Sequence, residues 1–246
     1  MPVSARECYT ELPSTQAEAI ARARAGAPDG LRVVAERQTA GRGRLAHTWS
    51  SPPGGLYLSV VRRAPPAGGP ILSLGVGAAV ARALAERYSA PVRLKWPNDL
   101  LVVQNGRARK LAGILADEVD TPAGGRAVVV GIGVNVAAPP ESFDPALRER
   151  IVSLAEFVSP RPAVREVEEL VAEAIDGAVA ALDRPGAAGT VVDACRRLLY
   201  GQGLPATVDG SLHGVITALG EEGELWLSTA SGPVAVRVGD LVVEGS

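Results

Sequence analysis

Apolar and polar positions alternate along this chain with two periods, and the changes between them predict its elements. Thr15 followed by Glu18 has the spacing of a capping box, and the Ala/Ile-rich run behind it predicts a helix to residue 25, stopped by Gly26 and Pro28. Apolar runs over 31–35 and 56–61 predict two strands, followed by a loop over 62–70 and a helix over 71–88. Val92, Leu94 and Trp96 alternate with polar residues as in a half-buried strand; Pro97 turns the chain, and a strand resumes over 100–103. Asn105-Gly106 is the strongest turn signal present and predicts a hairpin into a strand over 110–118, where Gly113 marks a close backbone approach. A turn over 122–125 leads to the most strand-like run, 127–136.

Past a loop at 139–145, the pattern predicts a short helix over 146–157. A long amphipathic helix over 164–182 follows, its early Glu166, Glu168 and Glu169 suited to the helix dipole, and then a helix over 190–199. After Tyr200 the texture changes. Short runs at 205–208, 213–219, 224–229, 233–238 and 241–244, separated by glycine-containing turns, predict a small antiparallel barrel or sandwich. The expected organisation is a mixed α+β domain over 1–198 followed by a small β-domain over 199–246.

Composition narrows the setting. The 246 residues are 47% hydrophobic and 21% charged with a net charge of −2, without the basic excess that marks a nucleic-acid binder. Two cysteines, Cys8 and Cys195, make no metal spacing with His47 and His213 and no disulfide framework, so no metal site is expected and a reducing, cytoplasmic setting fits. The first residues lack the basic flank and apolar core of a signal peptide, and the most apolar window, 71–90, is interrupted by Arg82, Glu86 and Arg87, which excludes a membrane span there. Of 25 basic residues only Lys95 and Lys110 are lysines. In so arginine-biased a chain, a surviving lysine suggests a need for a compact charge on a flexible stem.

Candidate chemistry gathers in three stretches. Gln38-Thr39-Ala40-Gly41-Arg42-Gly43-Arg44, running on to Trp49, puts two arginines between glycines on a loop after a strand, a design suited to closing over an anion. Lys95-Trp96-Pro97-Asn98-Asp99 sits at a strand end. Lys110 to Leu115 and Gly131 to Asn135 lie on the strands beyond. Gly131 and Gly133 do not make a dinucleotide-binding loop, because no third glycine opens a helix at the required distance.

With Ser14-Thr15 at the start of the first helix, these motifs in this order and spacing resemble the catalytic domain of the biotin protein ligases, or biotin–[acetyl-CoA-carboxylase] ligases. The likeness extends over nearly the whole chain. It implies a fold similar to the class II aminoacyl-tRNA synthetase core followed by an SH3-like β-barrel. It also implies a two-step reaction: biotin attacks the α-phosphorus of ATP to give biotinyl-5′-AMP, and the acyl group passes to a lysine of a biotin carboxyl carrier protein. Two like charges 4 Å apart at an effective dielectric of about 20 repel by about 4 kcal/mol, so such a site must place cations between carboxylate and phosphate. By resemblance Lys95, Arg42 and Arg44 are the catalytic candidates. Ser14, Thr15, Gln16, Gln38, Gly41, Arg42, Lys95, Gly113, Ile114 and Leu115 would hold biotin. Arg42, Arg44, Trp49, Asn98, Lys110 and Asn135 would hold ATP or the adenylate.

Mg²⁺ is expected on the nucleotide phosphates, with most ligands from ATP. The chain departs from the family in carrying Gln16 where asparagine is usual, and Leu45, Ala46 and His47 where the loop is more basic. The helix-turn-helix of some members is not expected before the catalytic domain, so neither DNA nor a membrane is an expected partner. An exposed strand edge could serve carrier binding or a homodimer. Two alternatives remain: a lipoate or octanoate transferase of the same fold, and a non-catalytic biotin or adenylate sensor, against which the retention of Lys95 counts.

Overall fold

The computed structural model describes residues 5–62, 70–122, 124–184 and 186–244. Alternation of strand and helix periods builds β1 (Arg6–Leu12), α1 (Thr15–Arg24), β2 (Arg32–Gln38), β3 (Leu56–Arg62), α2 (Pro70–Tyr88), β4 (Val92–Lys95), β5 (Asp99–Gln104), β6 (Arg107–Asp120) and β7 (Arg126–Val134). Then come α3 (Pro145–Arg148), α4 (Val164–Leu182) and α5 (Ala187–Leu198). Strands β8 (Pro205–Val208), β9 (Leu212–Leu219), β10 (Leu225–Thr229), β11 (Gly232–Val236) and β12 (Leu241–Val243) close the chain. The interior of the loop expected over 62–70 lies outside the described residues, as does Ala123 of the 122–125 turn.

The first seven strands form one mixed sheet in the order β1-β2-β3-β7-β6-β5-β4, parallel only between β1 and β2. Period-two alternation divides its faces. Leu58, Val60, Val130 and Ile132 pack against α2, α4 and α5, whereas Val33, Val61, Val119 and Val129 pack under α1. Asn105 and Gly106 both adopt positive φ, 52° and 75°, as the hairpin between β5 and β6 requires.

The sequence pattern missed β1, because an edge strand of Arg, Glu and Tyr buries little and shows no apolar alternation. Ion pairing holds it instead: Arg6 pairs with Glu168 of α4, Nε to Oε1 at 2.7 Å and Nη2 to Oε2 at 2.9 Å. The helix expected over 146–157 is also corrected, to the single turn of α3 and a 3-10 turn at Leu154–Glu156. Between them the chain runs extended beside β6. Lys110 N–H donates to the Arg150 carbonyl at 2.8 Å, and Val152 N–H donates to the Lys110 carbonyl at 3.0 Å. Those backbone groups cannot serve a helix as well.

The last five strands form an antiparallel sheet in the order β11-β10-β9-β8-β12. Among the described residues no pairing joins β11 to β12, so the ladder is an open sheet and the expected barrel is not closed. One apolar core nevertheless continues from α2 and α5 into Val208, Ile216, Leu225 and Leu227 of this second sheet. Polar contacts fix the junction: Trp96 Nε1–H donates to the Gly223 carbonyl at 2.9 Å, and Tyr200 N–H donates to the Leu94 carbonyl at 2.8 Å. Leu199 also bridges Leu94, so the outer edge of β4 is covered. No described helix is long and apolar enough to cross a membrane.

Trp96 is almost fully buried. Trp96→Phe keeps an aromatic ring but strands the Gly223 carbonyl, and we expect a loss of about 1–3 kcal/mol, read as a lower urea midpoint at constant m-value.

Candidate functional site

The site is set out on the α1 face of the large sheet by strand register. Asp99 of β5 stands opposite Gly113 of β6, Gly113 opposite Gly133 of β7, and Gly133 opposite Tyr57 of β3. In the next row Leu115, Gly131 and Ser59 are opposite one another; in the third, Asp117, Val129 and Val61. Three glycines side by side on one face leave a trough in the middle of the sheet. The Trp49 indole lies in it: a Cβ on Gly133 would overlap the ring, and one on Gly113 would come within 2.9 Å of it. Gly131 leaves the space taken by the Gln16 amide. These glycines are therefore strand residues that make room, and Gly113 is the close approach expected from the sequence.

A register irregularity in the β5–β6 pair decides which lysine faces the trough. Leu100 pairs with Ala112 but Leu101 pairs with Lys110, so Leu111 is the extra residue of a bulge. Leu111 and Ala112 both go into the core, and Lys110 joins Gly113 on the cavity face although the two are three residues apart. Lys110 Nζ pairs with Asp99 Oδ1 at 2.8 Å and lies 5.2 Å from the centre of the Trp49 ring.

One end of the cavity is a polar relay. Ser14 caps α1, its side chain accepting from Ala17 N–H, so the cap is not Thr15 as the spacing suggested. Thr15 is committed to Gln38: its N–H and Oγ1–H donate to Gln38 Oε1 at 2.8 and 3.2 Å. Gln38 Nε2 donates to Ser51 Oγ at 2.8 Å, and Ser51 Oγ donates to the Trp49 carbonyl at 3.1 Å. Ser59 Oγ lies 3.1 Å from Thr15 Oγ1 and 3.0 Å from Gln16 Oε1. Gln16 Nε2 donates to Asp117 Oδ2 at 2.7 Å and to the Val129 carbonyl at 3.1 Å.

The other end is cationic. The glycine-arginine loop closes on itself: Trp49 N–H donates to the Gly41 carbonyl at 2.9 Å, Gly43 N–H donates to the His47 carbonyl at 2.7 Å, and Arg42 bridges Thr48. Arg42 is exposed on the rim, and Leu45, at φ 50°, is 57% exposed at the tip. Arg44 turns inward, Nη1 3.4 Å from Asn98 Oδ1 and 3.5 Å from the Gly239 carbonyl. Burial lowers its pKa against the opposing pull of Asp99, Asp240 and Asp209. Lys95 points away from the buried Leu94 and Trp96, as the alternation required. Burial holds its pKa below the ordinary 10.5; Asp99 and Asp240 oppose that shift, while Lys110 and Arg150 reinforce it. Asn98 is fixed by its Nδ2 donating to the Ile114 carbonyl at 2.9 Å.

Ser14, Thr15, Gln16, Gln38, Arg42, Arg44, Trp49, Lys95, Asn98, Lys110, Gly113, Ile114 and Leu115 all line one cavity of about 790 Å³. Two expected residues do not line it. Gly41 packs under the loop against the Trp49 carbonyl and Ser51, and Asn135 is buried with its amide donating to the Lys110 carbonyl at 3.2 Å. The sequence reading missed Ser59, Arg150 and Asp240, which also line the cavity. Ser59 had a signal, a single serine inside an apolar and aromatic run. Arg150 and Asp240 had none, because segments remote in sequence bring them there. Among the described residues no three His, Cys, Asp or Glu side chains are grouped to hold a metal ion.

Residues 12–135 match the model of the Biotin/lipoate A/B protein ligase family. The chain is 35% identical over 240 residues to the Biotin--[acetyl-CoA-carboxylase] ligase of Mycobacterium tuberculosis, covering 93% of this chain and 85% of that one. It is 38% identical over 148 residues to the Bifunctional ligase/repressor BirA of Bacillus subtilis, a match that spans 59% of this chain but only 44% of the relative. Among solved structures, the biotin protein ligase from Aquifex aeolicus in complex with biotin and ATP superposes with a TM-score of 0.84 at 26% identity, covering 99% of this chain and 100% of that one.

Two outcomes follow from the geometry. Gly133→Ala displaces the indole from the trough, so tryptophan emission shifts to the red, and the shift disappears when Trp49→Phe is added. Lys95 carries a desolvation cost at every pH below its depressed pKa, a cost relieved as pH rises through that value toward 10.5. Lys95→Met therefore raises the melting temperature at neutral pH, and calorimetry should find the gain shrinking at alkaline pH.

Proposed function

Because the chain belongs to the Biotin/lipoate A/B protein ligase family, we propose that it is an ATP-dependent biotin protein ligase. It activates biotin as biotinyl-5′-AMP and transfers the acyl group to a lysine of a biotin carboxyl carrier domain. The observation that carries this reading is the polarity of one cavity, a hydroxyl and amide relay at one end and Lys95, Lys110, Arg42 and Arg44 at the other. A cyclic urea offers two N–H donors and a carbonyl, groups that Thr15, Ser59 and Gln38 can match. A lipoyl or octanoyl tail offers no polar group to this end of the cavity and would gain nothing from the lone pairs and amide hydrogens remaining there, so the relay favours biotin over the alternative acyl groups of the family.

In the first step a carboxylate oxygen attacks the α-phosphorus, the α–β phosphoanhydride bond breaks, and pyrophosphate leaves with the electron pair. Lys95, a compact cation in a partly desolvated place, bridges the two anions; Arg42 and Arg44 cover the phosphate side. Asn98 and Lys110 lie on the nucleotide side, and the Trp49 Nε1–H, buried without a hydrogen-bond partner among the described residues, is a donor available to a ligand oxygen. Mg²⁺ enters as part of the MgATP substrate. In the second step a lysine amine attacks the acyl carbon, AMP departs, and the amine loses a proton.

The mixed anhydride is destroyed by water, which gives the loop over 41–49 its use as a cover. The catalytic unit is assigned to 1–198 and the small β-domain to 199–246. A cytoplasmic location suits a consumer of ATP.

Biotin-dependent exchange of labelled pyrophosphate into ATP tests the reading, and no exchange with biotin present would sink it. Lys95→Met should lower exchange by about 100-fold or more, the usual cost of removing one preorganised charge from a transition state.

A further inference from the structure

The second sheet contributes to the site in a way the reaction chemistry does not require. The turn between β11 and β12 presents the Gly239 carbonyl to Arg44. Gly239 has φ 156°, and a Cβ there would overlap Val208, so only glycine lets this carbonyl come so far forward. The turn is braced from β8: Asp240 N–H donates to Asp209 Oδ1 at 2.8 Å, and Asp209 N–H donates to the Asp240 carbonyl at 3.0 Å. The Asp209 carboxylate and the backbone of Asp240 are thereby held next to a carbonyl already aimed at the guanidinium.

We propose that this braced turn is a docking station for Arg44, through which the C-terminal sheet holds the glycine-arginine loop over the cavity and slows escape of the adenylate. The retention role rests on the ligase reading; the docking itself does not. Contacts of 3.4 Å to Asn98 and 3.5 Å to Gly239 are long for hydrogen bonds. Asp99, Asp240 and Asp209 add attraction that partly offsets the burial of the guanidinium, and so weak a latch can be released when an acceptor protein arrives. Asp209 and Asp240 are positioning residues here, acting through Arg44.

Trypsin reads the docking directly, since it must draw an arginine side chain into its own pocket before cutting after it. Arg42, exposed in the same loop, is the internal reference. In ligand-free protein, the charge-only double variant Asp209→Asn/Asp240→Asn should speed cleavage after Arg44 relative to Arg42 by about fivefold to tenfold, as expected for losing two partly screened charge contacts. Asp240→Glu should restore protection. Should the double variant fold poorly, raising salt on the wild type from about 0.05 M to about 0.5 M screens the same attraction and should increase the same ratio. An unchanged ratio in both experiments overturns the docking.

Release of biotinyl-AMP from loaded enzyme then tests retention. The double variant should release it several-fold faster than wild type, and Arg44→Gly sets the upper limit. Release at the wild-type rate, with cleavage accelerated, overturns the retention role. Failure of the wild type to form biotinyl-AMP overturns the ligase reading and leaves the proteolysis result standing.

Discussion

Gly113 stands opposite Gly133, and much of the site depends on that register. Side chains in a sheet alternate with period two, so a slip of β6 by one residue against β7 would turn Gly113 toward α2 and put Ile114 in the trough beside Gly133. The turn at Asn105-Gly106 fixes one end of β6, and the bulge at Leu111 resets its phase partway along. Both devices are needed to seat Trp49 on bare backbone while Lys110 and Asp99 meet beside it. The trough is a local loss of packing that the core on the opposite face can afford.

The cations around the cavity do not form an undifferentiated basic patch. Lys110 is paired with Asp99, whereas burial is the largest influence on both Arg44 and Lys95, lowering each pKa against the opposing pull of nearby carboxylates. Pairing leaves a charge in place at little cost, while desolvation raises the value of meeting an anion. An incoming phosphate or carboxylate would relieve Lys95 and Arg44 alike, the expected signature of groups placed for ligand charge rather than for stability.

The two sheets are one structural unit in energetic terms, although the sequence texture separates them. The core runs through the junction, Trp96 donates across it, and Tyr200 covers the edge of β4. Trp96 directly follows Lys95, the last residue of β4, so the tryptophan that anchors the C-terminal sheet also fixes the backbone next to the lysine. The β11–β12 turn reaches the same strand end from the other side. Movement of the second sheet would therefore be felt at Lys95 and at Arg44 together.

Much of this was written locally. The helix over 164–182 shows its full amphipathic period, and the Asn105-Gly106 hairpin depends on two residues that tolerate positive φ. Such features depend on short-range geometry, so the sequence alone determined them, together with most of the side chains gathered in the cavity. Other features had no local cause. Strand β1 is held by a glutamate on a distant helix, residues 150–152 follow the backbone of Lys110 instead of helical propensity, and the β11–β12 turn meets Arg44 across 195 residues. These contacts exist only once the elements have packed, because each partner is satisfied by a group that long-range folding alone brings within reach.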